Sequence, residues 1–102
     1  MYLVVSHWEA LPGKEAEFEE TGKKVAALLR RQPGVVLLEM FQSGDKYISV
    51  HGYQDEATYQ KLVNDPNGTF AQAMAAHPVE ELGRWISSER GETVDYGQGS
   101  AG

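Results

Sequence analysis

The chain has 102 residues, nine basic against fifteen acidic, for a net charge of −6, and no cysteine. That length makes one domain with one core, and the missing cysteines exclude a disulfide scaffold, a thiol nucleophile and a thiolate metal site. The acidic balance argues against nucleic acid or an anionic membrane as partner, because phosphates would be repelled, no apolar run nears the roughly 20 residues that span a bilayer, and a start at Met1-Tyr2-Leu3 without a basic leader makes a cytoplasmic protein the expectation.

Residues Tyr2 to Trp8 are β-branched and aromatic and are predicted as a strand, which Leu11-Pro12-Gly13 ends. From about Lys14 to Gln32 the period changes. Phe18, Gly22, Val25, Leu28 and Leu29 recur every three or four residues, with glutamates in the first turns and arginines in the last. This is an amphipathic helix aligned with its dipole, and Pro33-Gly34 stops it. Val35 to Gln42 is a short apolar run and reads as a strand covered on both faces. Lys46 to Tyr53 follows a tight polar turn, so the two form an antiparallel hairpin. On it Ile48 and Val50 point one way, and Tyr47, Ser49, His51 and Tyr53 the other. Asp55 caps a second helix that buries Tyr59, Leu62 and Val63. After the turn Asp65-Pro66-Asn67-Gly68, Thr69-Phe70-Ala71-Gln72 reads as a capping box. It opens a short helix with Phe70, Ala73, Met74 and His77 on one side. Arg84 to Arg90 is predicted as a last strand with Trp85 and Ile86 on opposite faces, and residues 93 to 96 either extend it beyond Gly91 or pair elsewhere. The domain ends at Tyr96, and residues 97–102 read as a flexible tail.

Strand, helix, strand, strand, broken helix, strand is the split β-α-β order of a ferredoxin-like α+β sandwich. Right-handed crossovers put both helices on one face of a four-stranded antiparallel sheet. The strands nevertheless carry large apolar side chains on both faces. A bare face of that kind exceeds what monomers normally expose, so a homodimer with sheet packed on sheet is expected.

The Pro-Gly-Lys-Glu opening of the first helix, Gln32-Pro33-Gly34-Val35 entering the second strand and Tyr53-Gln54-Asp55-Glu56-Ala57 leaving the third resemble the dimeric α/β-barrel superfamily. Within it the chain is most similar to the antibiotic biosynthesis monooxygenase (ABM) domain family, over about residues 1 to 95. The resemblance implies a small monooxygenase that oxidises an aromatic or quinol substrate without metal or flavin. It also allows a haem-binding or haem-degrading enzyme, or a non-catalytic small-molecule-binding dimer. The haem branch would use His77 as ligand. Its asparagine is His7 here, its second-helix tryptophan is nearest Leu62, and the group's tryptophan at the end of the third strand is Tyr53.

His77, His7 and Tyr59 are the expected catalytic residues, with Tyr53, Met74, Phe70 and Leu62 lining the substrate pocket. His77 shares a side with Phe70 and Met74, so an inward imidazole could act as base or haem ligand; the plainer reading is a histidine satisfying the last helix carbonyls. His7, His51 and His77 match no metal-ligand spacing, and neither metal nor cofactor is expected. Tyr47, Ser49, His51 and Tyr53 on one strand face form either a wall that polarises a phenol or quinol oxygen, or a polar-rimmed dimer core. Trp8 and Trp85 read as core or interface anchors, and Glu15, Glu17, Glu19 and Glu20 as a solvated helix face.

Overall fold

A computed structural model describes residues 1–95; residue 96 and the predicted tail 97–102 lie outside the described residues. The elements run β1 (Tyr2–Ala10), α1 (Glu15–Arg30), β2 (Val35–Ser43), β3 (Lys46–Tyr53), α2 (Glu56–Tyr59), a π-type turn (Gln60–Asn64), α3 (Thr69–Ala76), a 3-10 turn (Val79–Glu81) and β4 (Gly83–Glu92). The sheet order is β2-β3-β1-β4, and every neighbouring pair is antiparallel. This is the expected ferredoxin-like arrangement, with the helices on one face.

Turn chemistry fixes the joints. Gly44 has φ of 62° and is the first of two residues between Ser43 and its partner Lys46. A positive φ there makes the type II′ turn that suits the twist of a hairpin. Gly34 has φ of 90° and lies so close to Thr58 that a Cβ would meet its methyl at 2.8 Å, so glycine is required twice over. Asp55 caps α2 as expected, its Oδ1 accepting from the Thr58 amide at 2.8 Å and hydroxyl at 2.7 Å. The capping box expected at Thr69 does not form. Gly68 takes the cap position, Thr69 is already helical, and the Gln72 side chain donates to the Asn67 carbonyl at 2.9 Å. β4 runs through Gly91 to Glu92 and ends there, where the Thr93 amide turns back to the Met1 carbonyl.

Register decides which side chains meet the helices. Tyr2, Val4, Ser6 and Trp8 of β1 stand opposite Tyr53, His51, Ser49 and Tyr47 of β3, and this row faces α1, α2 and α3. Leu3, Val5 and His7, with Ile48 and Val50, take the other face by alternation. The wall Tyr47–Ser49–His51–Tyr53 therefore turns toward the helices and is not a dimer core. Two aromatic clusters fill the sandwich. Phe18, Val25 and Leu29 of α1 pack with Tyr47, Ala73 and Val79. Tyr2, Val4, Tyr53, Tyr59 and Leu62 form the other cluster.

Candidate active site

Between the two clusters the facing side chains are small. Ser6, Ser49 and Ser88 lie on the sheet, and Gly22 and Ala26 on α1. Short side chains on both walls cannot fill the gap, and a cavity of about 350 Å³ results. Trp8, Phe18, Leu38, Met40, Phe70 and Met74 give it a mostly apolar wall. A second depression of about 450 Å³, between α1 and the sheet edge at β2, shares Gly22, Ala26, Leu38, Met40 and Ser49 with it and carries Lys23 and Arg30. At its margin the Tyr47 hydroxyl donates to Glu19 at 2.6 Å. That bond to a carboxylate, with burial, pushes the phenol up to about 12.

The one histidine in the cavity wall is His51. Burial pushes its pKa down to about 4, so the imidazole is neutral at pH 7. Its Nδ1 lies 2.7 Å from the Tyr53 hydroxyl, and the two rings meet edge to face at 5.5 Å. Tyr53 is fully buried; burial first, then the neighbouring Tyr59, holds its phenol well above the usual range. His51 therefore has a protonated phenol at one nitrogen and the cavity beside it. Across the floor, Ser6 Oγ and Ser88 Oγ are 2.7 Å apart, and the Trp85 indole donates to Ser88 at 2.8 Å.

Of the residues expected from sequence, Tyr59, Phe70 and Met74 line this cavity. Tyr53 stands behind His51. Leu62 is buried among Tyr2, Val4, Tyr53 and Tyr59, away from the cavity. His7 is on the helix-free face, where its Nε2 meets Glu89 at 3.2 Å; one residue of strand phase separates it from the site. His77 ends α3 with φ of −132° and ψ of 89°. That turn away from helical geometry leaves it off the cavity wall, contrary to the expected inward imidazole. His7, His51 and His77 do not converge, and among the described residues no group of three metal-ligating side chains forms. A haem held by His77 does not fit this arrangement. His51 was legible as part of a polar strand face; Ser88 and Trp85 were not, because their placement depends on the β4 register. That register shifts between His7 and Trp8, whose partners are Ser87 and Trp85, leaving Ile86 unpaired.

The family model described as antibiotic biosynthesis monooxygenase (ABM) matches residues 1–77. No curated protein matches the sequence. Among solved structures, the chain is similar to SnoaB, a cofactor-independent oxygenase from Streptomyces nogalater, with a TM-score of 0.76 and 19% identity over 95% of this chain and 96% of that one. It is similar to Rv0793 from Mycobacterium tuberculosis with a TM-score of 0.77 and 14% identity over 95% and 98% of the two chains. MupZ from Pseudomonas fluorescens shares the fold with a TM-score of 0.73 and 12% identity over 87% of this chain and 69% of that one. With its sequence matched over most of its length and its fold shared end to end with SnoaB, the chain belongs to the antibiotic biosynthesis monooxygenase family.

Proposed function

We propose that the chain is a cofactor-independent monooxygenase acting on a small aromatic or quinol-type substrate, with His51 as the group that receives the substrate proton. The observation that carries this reading is a neutral, tyrosine-backed imidazole in the wall of a mostly apolar cavity. In the tautomer whose Nδ1–H donates to Tyr53, Nε2 holds a lone pair for the proton of a phenol or enol. An isolated imidazolium is disfavoured there, but one formed beside the new substrate anion is compensated by it. The electron-rich anion passes one electron to O₂, and the carbon radical and superoxide combine to a peroxide. The proton returned from His51 makes the hydroperoxide, which loses water to leave a carbonyl. An activated CH₂ thus becomes C=O with one oxygen from O₂, and the other oxygen leaves as water. The substrate supplies all four electrons, so no external reductant enters the balance. SnoaB, of the same fold, is described as cofactor-independent, which supports the same chemistry here.

The helix-free face supports a homodimer packed back to back. Leu3, Val5, Leu37, Ile48 and Val50 form an apolar centre by strand alternation, beside the half-exposed Phe41. Each subunit then keeps its own cavity on the far side. Oxygen uptake with a panel of quinols and anthrones, against a boiled control, tests the activity. Uptake without added metal or flavin is expected, one O₂ per carbonyl formed, and His51→Gln should reduce it roughly 100-fold or more. A wild-type protein that binds these compounds but consumes no oxygen is a binding module.

A further inference from the structure

The cavity floor carries a row of hydroxyls in register across three strands. Ser6 of β1 stands opposite Ser49 of β3 on one side and Ser88 of β4 on the other. All three line the cavity. An indole N–H can only donate, whereas a hydroxyl has one hydrogen and two lone pairs. Trp85, Ser88 and Ser6 together own three donor hydrogens, and the two bonds among them use two. Whichever way the serine pair is oriented, one hydroxyl hydrogen remains. Ser49 adds another, since its hydroxyl makes no side-chain hydrogen bond among the described residues. The floor therefore has spare donors among mostly apolar neighbours, and a ligand that displaces water from them has to meet those hydrogens itself.

A ligand that meets those hydrogens must offer an acceptor, and a ketone, quinone or phenolate oxygen is one that brings no hydrogen of its own to place. Ser6 is two residues along β1 from Val4, the residue opposite His51, a diagonal spacing of about 7–8 Å between backbones. The serine row and His51 thus address two different positions of one flat molecule. A cavity of about 350 Å³ is at the low end of ligand sites, which suits about two or three fused rings.

We propose that Ser6, Ser49 and Ser88, oriented by Trp85, form an oxygen-acceptor subsite that selects aromatic ketones or quinone-type substrates carrying one oxygen over the serine row and a second, hydrogen-bearing oxygen at His51. This rests on the reading of the cavity as the substrate site. It also gives the row a part in the reaction. Removing a proton at the His51 end of a conjugated ring system sends negative charge to the far oxygen, where preorganised donors stabilise it. Smallness alone does not account for the serines: alanine would leave the same space without three hydroxyls to satisfy.

That contrast supplies the test. Fluorenone and fluorene are flat tricycles that differ in one carbonyl oxygen. Their affinities are read by quenching of Trp8 and Trp85, which both line the cavity. Wild type should prefer fluorenone. Ser6→Ala/Ser88→Ala should weaken fluorenone about tenfold, the loss of one hydrogen bond, and leave fluorene within about twofold. Ser88→Ala alone, with a thermal melt for each protein, serves if the double variant fails to fold. Equal losses for both probes, no loss for fluorenone, or no binding of either by wild type would overturn the subsite. Because this titration reads no oxygen, the two readings separate. Protein that discriminates the pair but takes up no O₂ keeps the subsite and loses the oxygenase, and active protein that does not discriminate does the reverse.

Discussion

His51 is held in a protonation state set by burial, and the fold is sensitive to that choice. The unfolded chain binds a proton at this imidazole near pH 6.5, whereas the folded chain does so only at about 4. Between those values the unfolded state holds more protons, so stability is fully present above pH 6.5 and falls as pH drops through the window. At pH 4.5 the loss from this one group is roughly 2–3 kcal/mol. Tyr53, whose phenol burial holds above its usual range, adjoins it and stays neutral throughout, and Glu80 is the carboxylate in the cavity wall. Two carboxyls also contribute stability that is lost as pH falls. Glu9 is held below the usual range by its bonds to Arg84 and Lys46, and Asp55 by its bonds to Thr58. Both are shared by wild type and His51→Gln, so the difference between the two proteins isolates the imidazole. Urea unfolding at pH 7 and pH 4.5 should show wild type losing more stability than the variant. Equal losses would mean that water reaches His51.

Helix α1 and strand β4 meet where a glycine makes room for a fully buried ring of the core. Gly83 opens β4, and a Cβ there would collide with the Phe18 ring and come within 2.9 Å of the Glu9 carbonyl. Neither a fully buried phenylalanine nor backbone can yield cheaply. Gly83→Ala should cost about 1–3 kcal/mol, seen by circular dichroism as a melting point lower by roughly 4–8 °C per kcal/mol. Gly91→Ala, with nothing within 4 Å of the added carbon, is the control and should leave the melt unchanged. These elements differ in how well the sequence announces them. The stripe Phe18–Gly22–Val25–Leu29, the turn at Gly44 and the cap at Asp55 are local signals, and each predicted its element. The phase of a strand is not local. Period-two alternation puts His51 and His7 on definite faces of their own strands, but only pairing between strands says that His51 meets α1–α3 and His7 does not. The serine row is further from reach, because it forms across three strands and through a bulge at Ile86. His77 lies off the cavity wall for a related reason: helical periodicity holds only while the helix does, and the chain leaves α3 at that residue.

At the scale of the molecule, a sheet with helices on one side has to do something with its other side. Leu3, Val5, Leu37, Ile48 and Val50 share that side by alternation, and Phe41 beside them is 52% exposed. Polar groups surround them: Glu9 pairs with Lys46 and Arg84, and the His7 ring meets Glu89. An apolar centre inside a polar rim is the anatomy of a subunit interface. A two-fold packing brings residues near the axis against their own copies. Val50 lies on the inner strand β3, between Val5 of β1 and Glu39 of β2, so it is near the middle of the face. Val50→Asp would place two carboxylates together in a desolvated contact, which costs several kcal/mol. Glu39→Gln changes a charge at the margin, where screening keeps the effect small. Light scattering at micromolar concentration should therefore give two chains for wild type and for Glu39→Gln, and one for Val50→Asp with its far-ultraviolet spectrum intact. The same fold with the same cavity would remain in the single chain, since the substituted side chain points away from α1 and His51. A wild type that scatters as one chain would mean that the rim charges alone keep this face in water.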